Sequence, residues 1–185
     1  QVLSGVDRYY HFPFNPSLTR VWNWAIAMAK TPWVLISNDD VEYGDGWMEA
    51  IQREEHFDSS RLHNRFIAFV LHRSLVRHIG WFDERFTTIY WEDTDYVRRM
   101  HHAGLPWCVD CVISPFLKST RPEPNHRCYR DWYDERAQAM NKDHRGNMAL
   151  YEEKWGDHDN NFPPVSSNAS RWQEPNWYPC VELPG

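Results

Sequence analysis

Two uninterrupted apolar runs stand out along the chain, Trp33-Val-Leu-Ile36 and Phe66-Ile-Ala-Phe-Val-Leu71. Neither run alternates, so each predicts a strand covered on both faces, as in a parallel sheet. The first run turns polar at once, at Ser37-Asn38-Asp39-Asp40. A helix is predicted before it, from about Leu18 to Lys30. Asn15-Pro16-Ser17 supplies its turn and N-cap, and Thr31-Pro32 breaks it. This helix is apolar nearly all round and is expected to be largely buried. Asn23, its one polar residue in the middle, reads first as a satisfied core amide and second as a ligand contact.

The pattern continues with a Gly-rich turn at Val41 to Gly46, a helix from Trp47 to about Arg53, and a loop at Arg61 to Asn64. Ser74 is placed to cap a short helix, Leu75 to Ile79, that Gly80 stops. A longer helix runs from Glu92 to Ala103 and ends at Gly104. On its wheel Tyr96, Val97, Met100 and Ala103 share one side with Asp93. Asp95 falls opposite, with Arg98, Arg99 and His102, and is expected on the solvated face in an ion pair at the i+3 or i+4 spacing. Asp93 is either a capping acid at a helix start or a catalytic base at a pocket edge. Leu105 to Ile113 predicts a third strand. Two polar helices follow, at about Tyr129 to Met140 and about Arg145 to Lys154, the second closed by Trp155-Gly156. Residues 1–156 form one expected domain, and 157–185 an extended aromatic and Pro-rich tail packed on it.

Composition narrows the functions available. A chain of 185 residues is long enough to bury one core. Its 20 basic against 26 acidic residues give net charge -6, which argues against nucleic acid as a partner. No apolar run approaches the ~18 residues of a membrane span, and no secretory h-region is visible, so a cytoplasmic location is the expectation. Asn168-Ala-Ser170, a glycosylation acceptor by pattern, is then read as chance. Cys108 and Cys111 have zinc-like spacing, but in a strand they point to opposite faces, and Cys128 and Cys180 form no second close pair. Four thiols suit a reducing compartment.

The chemistry concentrates in two acidic clusters. In open α/β sheets ligands bind beyond the carboxyl ends of strands, where Asp39 and Asp40 are expected. Hard carboxylate oxygens there suit Mg²⁺ or Mn²⁺, though an Asx-rich turn gives the same pattern. The second cluster is Glu92-Asp93, which follows Gly80-Trp-Phe-Asp-Glu-Arg-Phe86 and Trp91.

From Asn15 to Ile113 the order of these segments resembles the inverting glycosyltransferases of family two. Asn38-Asp39-Asp40 resembles the family's acidic "DXD" signature. Gly80 to Phe86 resembles its "GGFDExF" segment, with Trp81 in place of the second Gly. Glu92-Asp93, before a helix ending in Ala103-Gly104, resembles its "ED" element. The resemblance implies a GT-A α/β fold, a single domain with a mostly parallel central sheet flanked by helices. It implies that Asp40 binds a divalent cation, Mn²⁺ or Mg²⁺, on the diphosphate of a nucleotide-sugar, with Asp39 on the ribose or assisting the metal. Asp93 would be the general base toward an acceptor hydroxyl and Glu92 would orient acceptor or sugar. Trp81, Phe82, Asp83, Glu84 and Trp91 would line the sugar and acceptor pocket. The partners implied are a nucleotide-sugar donor and a glycan or other hydroxyl acceptor, the transferred group a hexose or deoxyhexose.

Three features depart from the family. The first βαβ unit, roughly thirty residues, is absent or curtailed before Gln1. Asn38 replaces the first acid of the signature. Leu117-Lys118 stand where many members have a His, His126 being the nearest substitute. The alternative from another class is a non-catalytic carbohydrate- or protein-binding domain on a degenerate transferase fold. A nucleotidyltransferase ranks last, because Gly44-Asp-Gly46 is acidic where a phosphate loop wants a basic residue nearby.

Overall fold

The computed structural model describes residues 8–14, 16–39, 41–53, 66, 68–87, 90–105, 117–119 and 144–156. The expected strand at 105–113 from Pro106 on, the expected helix at 129–140, the tail, all four cysteines, His126 and Asp40 lie outside these residues.

Helix α1 (Leu18–Met28) forms where the apolar run predicts it, but only one face is buried: Thr19, Trp22, Asn23, Ile26 and Ala27. That is the i, i+3, i+4, i+7 stripe of an amphipathic helix rather than one enclosed all round. Met28 stays exposed. Ser17 occupies the N-cap at φ 71° with no capping hydrogen bond from its side chain; its hydroxyl meets Thr19 Oγ1 instead, at 3.2 Å.

Strands β1 (Trp33–Ser37) and β3 (Ala68–His72) pair antiparallel, with Leu35 opposite Val70. The expected parallel arrangement is not present in this pair, and among the described residues no parallel pair occurs. β3 is buried on both faces from Ala68 to Leu71, as its unbroken apolar run predicts. β1 is not, since Leu35 is 37% exposed. Antiparallel strands can leave one face to solvent, so an apolar run need not mean cover on both sides.

Val41–Tyr43, read from sequence as the start of a turn, is a short strand, β2. It pairs antiparallel with β4 (Leu117–Ser119), Val41 opposite Ser119. Gly46 then turns at φ 88° into α2 (Trp47–Arg53). α3 (Arg73–Ile79) begins on His72, whose Nδ1 accepts the Ser74 amide, and ends on Gly80 at φ 88°. Ser74 thus sits inside the helix, and its hydroxyl lies 2.7 Å from the same nitrogen.

One core gathers these elements: Trp22 and Ile26 of α1, Val34 of β1, Phe69 and Leu71 of β3, Leu75 and Ile79 of α3, then Trp81 and Phe82, with Tyr96 and Met100 of α4 (Glu92–His102). Phe82 stacks on Tyr96 at 4.0 Å between centroids, and Trp22 meets Phe82 edge-on at 4.9 Å. A second cluster joins Phe86 to Tyr151 and Trp155 of helix α5, residues 144–155.

Asn23 fastens α1 to the segment after α3. Its Nδ2 donates to Phe82 O at 2.9 Å, and its Oδ1 accepts the Phe82 amide at 3.0 Å. The satisfied-amide expectation therefore describes it. Asn23→Ala is expected to destabilise the chain by about 1–3 kcal/mol for each buried backbone group left without a partner, measured by urea unfolding. Such an effect would arise with no loss of apolar contact.

Candidate functional site

The segment from Trp81 to Asp95 carries most of the residues singled out from sequence, and the structure divides them. Trp81, Phe82 and Asp83 are buried in the core. Asp83 is held by Arg85, whose Nη2 lies 2.7 Å from Oδ2, and by Lys154 of α5 at 2.9 Å. Burial alone would push this carboxyl up. The hydrogen bond from Arg85 and the charge of Lys154 outweigh it and hold the carboxyl down at about 2. Glu84 is half-buried; it accepts from Asn23 at 3.1 Å and pairs with Arg20 at 3.3 Å. The contacts to Asn23 and Arg20 tie the segment to α1, and that to Lys154 ties it to α5.

Asp95 corrects the wheel argument. It is completely buried, paired with Arg99 at 3.0 Å and with Lys154 at 2.7 Å, and its Oδ1 accepts the Trp155 indole N–H at 3.0 Å. Arg98 and Arg99 are buried with it. The second side of α4 is not solvated because α5 covers it: Arg98 donates to the Tyr151 hydroxyl at 3.1 Å and lies 4.7 Å from the Trp155 ring. Sequence reasoning missed Asn147, Tyr151, Lys154 and Trp155. Their spacing was available, because His144, Asn147, Tyr151, Lys154 and Trp155 fall on one face at helical intervals. The polar character of 145–154 masked that face.

What remains at the start of α4 is Trp91-Glu92-Asp93. Tyr90 and Trp91 both adopt left-handed backbone, at φ 76° and 73°. This conformation is a real outlier for bulky side chains and is found where surroundings impose it. The Trp91 ring rests on Tyr151 at 4.9 Å and near His144 at 5.7 Å. Asp93 is half-buried, and its Oδ1 accepts the Thr94 amide at 2.7 Å. Among the described residues it takes part in no ion pair.

Glu92 is 5% exposed. Burial, and then the neighbouring negative charge of Asp93, push its carboxyl up to about 8 against a backbone hydrogen bond that lowers it. Its Oε2 and the Trp91 Nε1 are buried without a hydrogen-bond partner among the described residues. Glu92 therefore holds its proton at neutral pH in the folded chain and releases it when unfolded. Its contribution to stability is fully present below about 4.5 and declines as pH rises to about 8. The steepest change is about tenfold in the folding equilibrium per pH unit. Glu92→Gln should flatten that slope, as read from urea unfolding at intervals across the window.

Asp39 is exposed just beyond β1. No hydrogen bond or ion pair joins it to Glu92 or Asp93 among the described residues, and no group of three metal-ligating side chains occurs among them. Magnesium ions commonly use one or two protein carboxylates, completed by water and substrate phosphates. An exposed Asp39 with Asp40 next in the chain fits that donor chemistry rather than an all-protein cage. β4 lies alongside β2, the strand that starts directly after Asp40.

Compared with protein-family models, with curated proteins and with solved structures, the chain matches none. Among the described residues no helix is long and apolar enough to cross a membrane.

Proposed function

We propose that this chain is a metal-dependent inverting glycosyltransferase on a GT-A-type fold. It would move a hexosyl or deoxyhexosyl group from a nucleotide-sugar to a hydroxyl of a glycan or other acceptor. The observation that carries the reading is the Glu92–Asp93 pair: one carboxyl is closed off and protonated near neutral pH, the other is half-exposed and, among the described residues, hydrogen-bonded only by its own Thr94. Adjacent titratable groups in unlike environments mark separate acid and base roles. In this reading Asp93 takes the proton of the acceptor hydroxyl as its oxygen attacks the anomeric carbon. The bond to the diphosphate oxygen breaks on the opposite face, and its electron pair leaves with the diphosphate. One base and no protein nucleophile give inversion. Glu92, kept neutral, has a proton to donate in a hydrogen bond to sugar or acceptor.

Asp40 and Asp39 would hold Mn²⁺ or Mg²⁺, which supplies positive charge beside the leaving diphosphate. The β2–β4 pairing supports this placement. It brings the region where the family often has a His, here Leu117-Lys118, against the strand after Asp40. The antiparallel β1–β3 pair is compatible with a mostly parallel sheet, since mixed sheets are common.

Nucleoside diphosphates with Mn²⁺ are expected to raise Tm, because ligand binding to the folded state stabilises it. The shift should vanish with chelator and in Asp40→Ala. The second reading, a non-catalytic carbohydrate- or protein-binding domain, is favoured by the burial of Trp81, Phe82 and Asp83, which removes them from an open pocket. It predicts no metal-dependent nucleotide shift.

A further inference from the structure

We infer that Asn147 of α5 is a positioning residue for the Glu92–Asp93 pair, acting through the backbone of Thr87 and Tyr90. The inference deepens the proposed function and rests on it for the catalytic role of the pair. Asn147 is 3% exposed, and its carboxamide is spent on main-chain groups just before the pair. Its Oδ1 accepts the Thr87 amide at 3.1 Å. Its Nδ2 donates to Thr87 O at 2.8 Å and to Tyr90 O at 3.0 Å. Both amide protons and one oxygen lone pair are thus used on two residues of one segment.

Tyr90 and Trp91 follow in the left-handed region, at φ 76° and 73°. Bulky residues do not hold that conformation unless neighbours over-determine it. The neighbours come from one face of α5. His144 lies 5.5 Å from the Tyr90 ring, Asn147 binds the Tyr90 carbonyl, and Tyr151 lies under Trp91. The direction in which α4 starts is set by the backbone at Tyr90 and Trp91, and Glu92 and Asp93 are the first two residues of α4. The ion pairs of α5, Lys154 with Asp83 and Asp95, lie two turns along the helix. Among the described residues, Asn147 is therefore the α5 side chain that hydrogen-bonds the backbone on the approach to the pair.

The test compares Asn147→Ala and Asn147→Asp with the native chain. Asn147→Ala should leave donor KM unchanged and lower kcat about 100-fold, the scale of an ångström-sized misplacement. Its Thr87 amide should exchange with solvent roughly five- to tenfold faster, matching one lost hydrogen bond. The Glu92 carboxyl, followed by carbon NMR, should titrate below about 8 as its enclosure loosens. Asn147→Asp keeps an acceptor for the Thr87 amide but loses both donors. It should retain slow Thr87 exchange while kcat still falls, and it decides the matter if the alanine variant fails to fold. Native Glu92 titration and native kcat in either folded variant would overturn the inference. If the native chain turns over no donor, the transferase reading fails by itself. Thr87 exchange and Glu92 titration in Asn147→Ala then still decide the positioning claim, unchanged values overturning it and changed values upholding it.

Discussion

Replacing Lys154 with Met is expected to destabilise the chain by roughly 3–5 kcal/mol, the range for removing one partner from a buried ion pair. The ammonium bridges Asp83 Oδ2 and Asp95 Oδ1 at 2.9 and 2.7 Å, with all three side chains almost wholly buried. Asp83 keeps Arg85 and Asp95 keeps Arg99, so the effect belongs at the lower end of that range. The pH dependence follows from Asp83. Its folded value, about 2, lies below the ordinary 3.8, so its stabilisation is present above 3.8 and lost as pH falls through about 2. Without Lys154 that carboxyl should rise, and acid unfolding should begin at higher pH. Urea unfolding at pH 7, with an acid titration of both proteins, measures each part. A loss below 1 kcal/mol, on the scale of an exposed pair, would mean that the network does not hold the 83–95 segment to α5.

Asp93→Asn is expected to lower turnover by about 10²- to 10⁴-fold, the usual contribution of a positioned base. Donor binding and unfolding midpoint should stay close to native, because among the described residues Asp93 hydrogen-bonds only Thr94. Asp95→Asn should do the reverse. It weakens contacts to Arg99, Lys154 and Trp155, so stability should fall first. Steady-state kinetics beside denaturant titrations separate the two. Equal behaviour of the variants would remove the distinction between a working and a structural carboxylate on α4.

The contrast between these neighbours marks where sequence reading succeeded and where it ran out. The span of α4 and its stop at Gly104 were legible, since an acidic first turn and a glycine at the end are local signals. So were α1, α3 and the apolar run of β3. The environment of Asp95 was not legible, because it depends on an element some fifty residues later in the chain. A wheel assigns sides of one helix and says nothing of what else packs there. Sheet direction escaped for a similar reason. An unbroken apolar run says nothing of strand direction, and β1 and β3 pair antiparallel with the run intact. Trp81, Phe82 and Asp83 looked like pocket lining by resemblance, yet Trp22 and Tyr96 pack on Phe82, Lys154 pairs with Asp83, and Trp81 is buried in the same core cluster.

The two acidic clusters remain the parts on which a transferase reading depends. Asp39 stands exposed beyond β1, and Glu92–Asp93 opens α4. The most direct measurement is release of nucleoside diphosphate from a panel of nucleotide-sugars by the native chain, with Mn²⁺ and then with chelator. Release with at least one donor, lost on chelation and in Asp93→Asn with acceptor present, is the expected result. Absence of release from every donor, or release indifferent to both metal and Asp93, would contradict it.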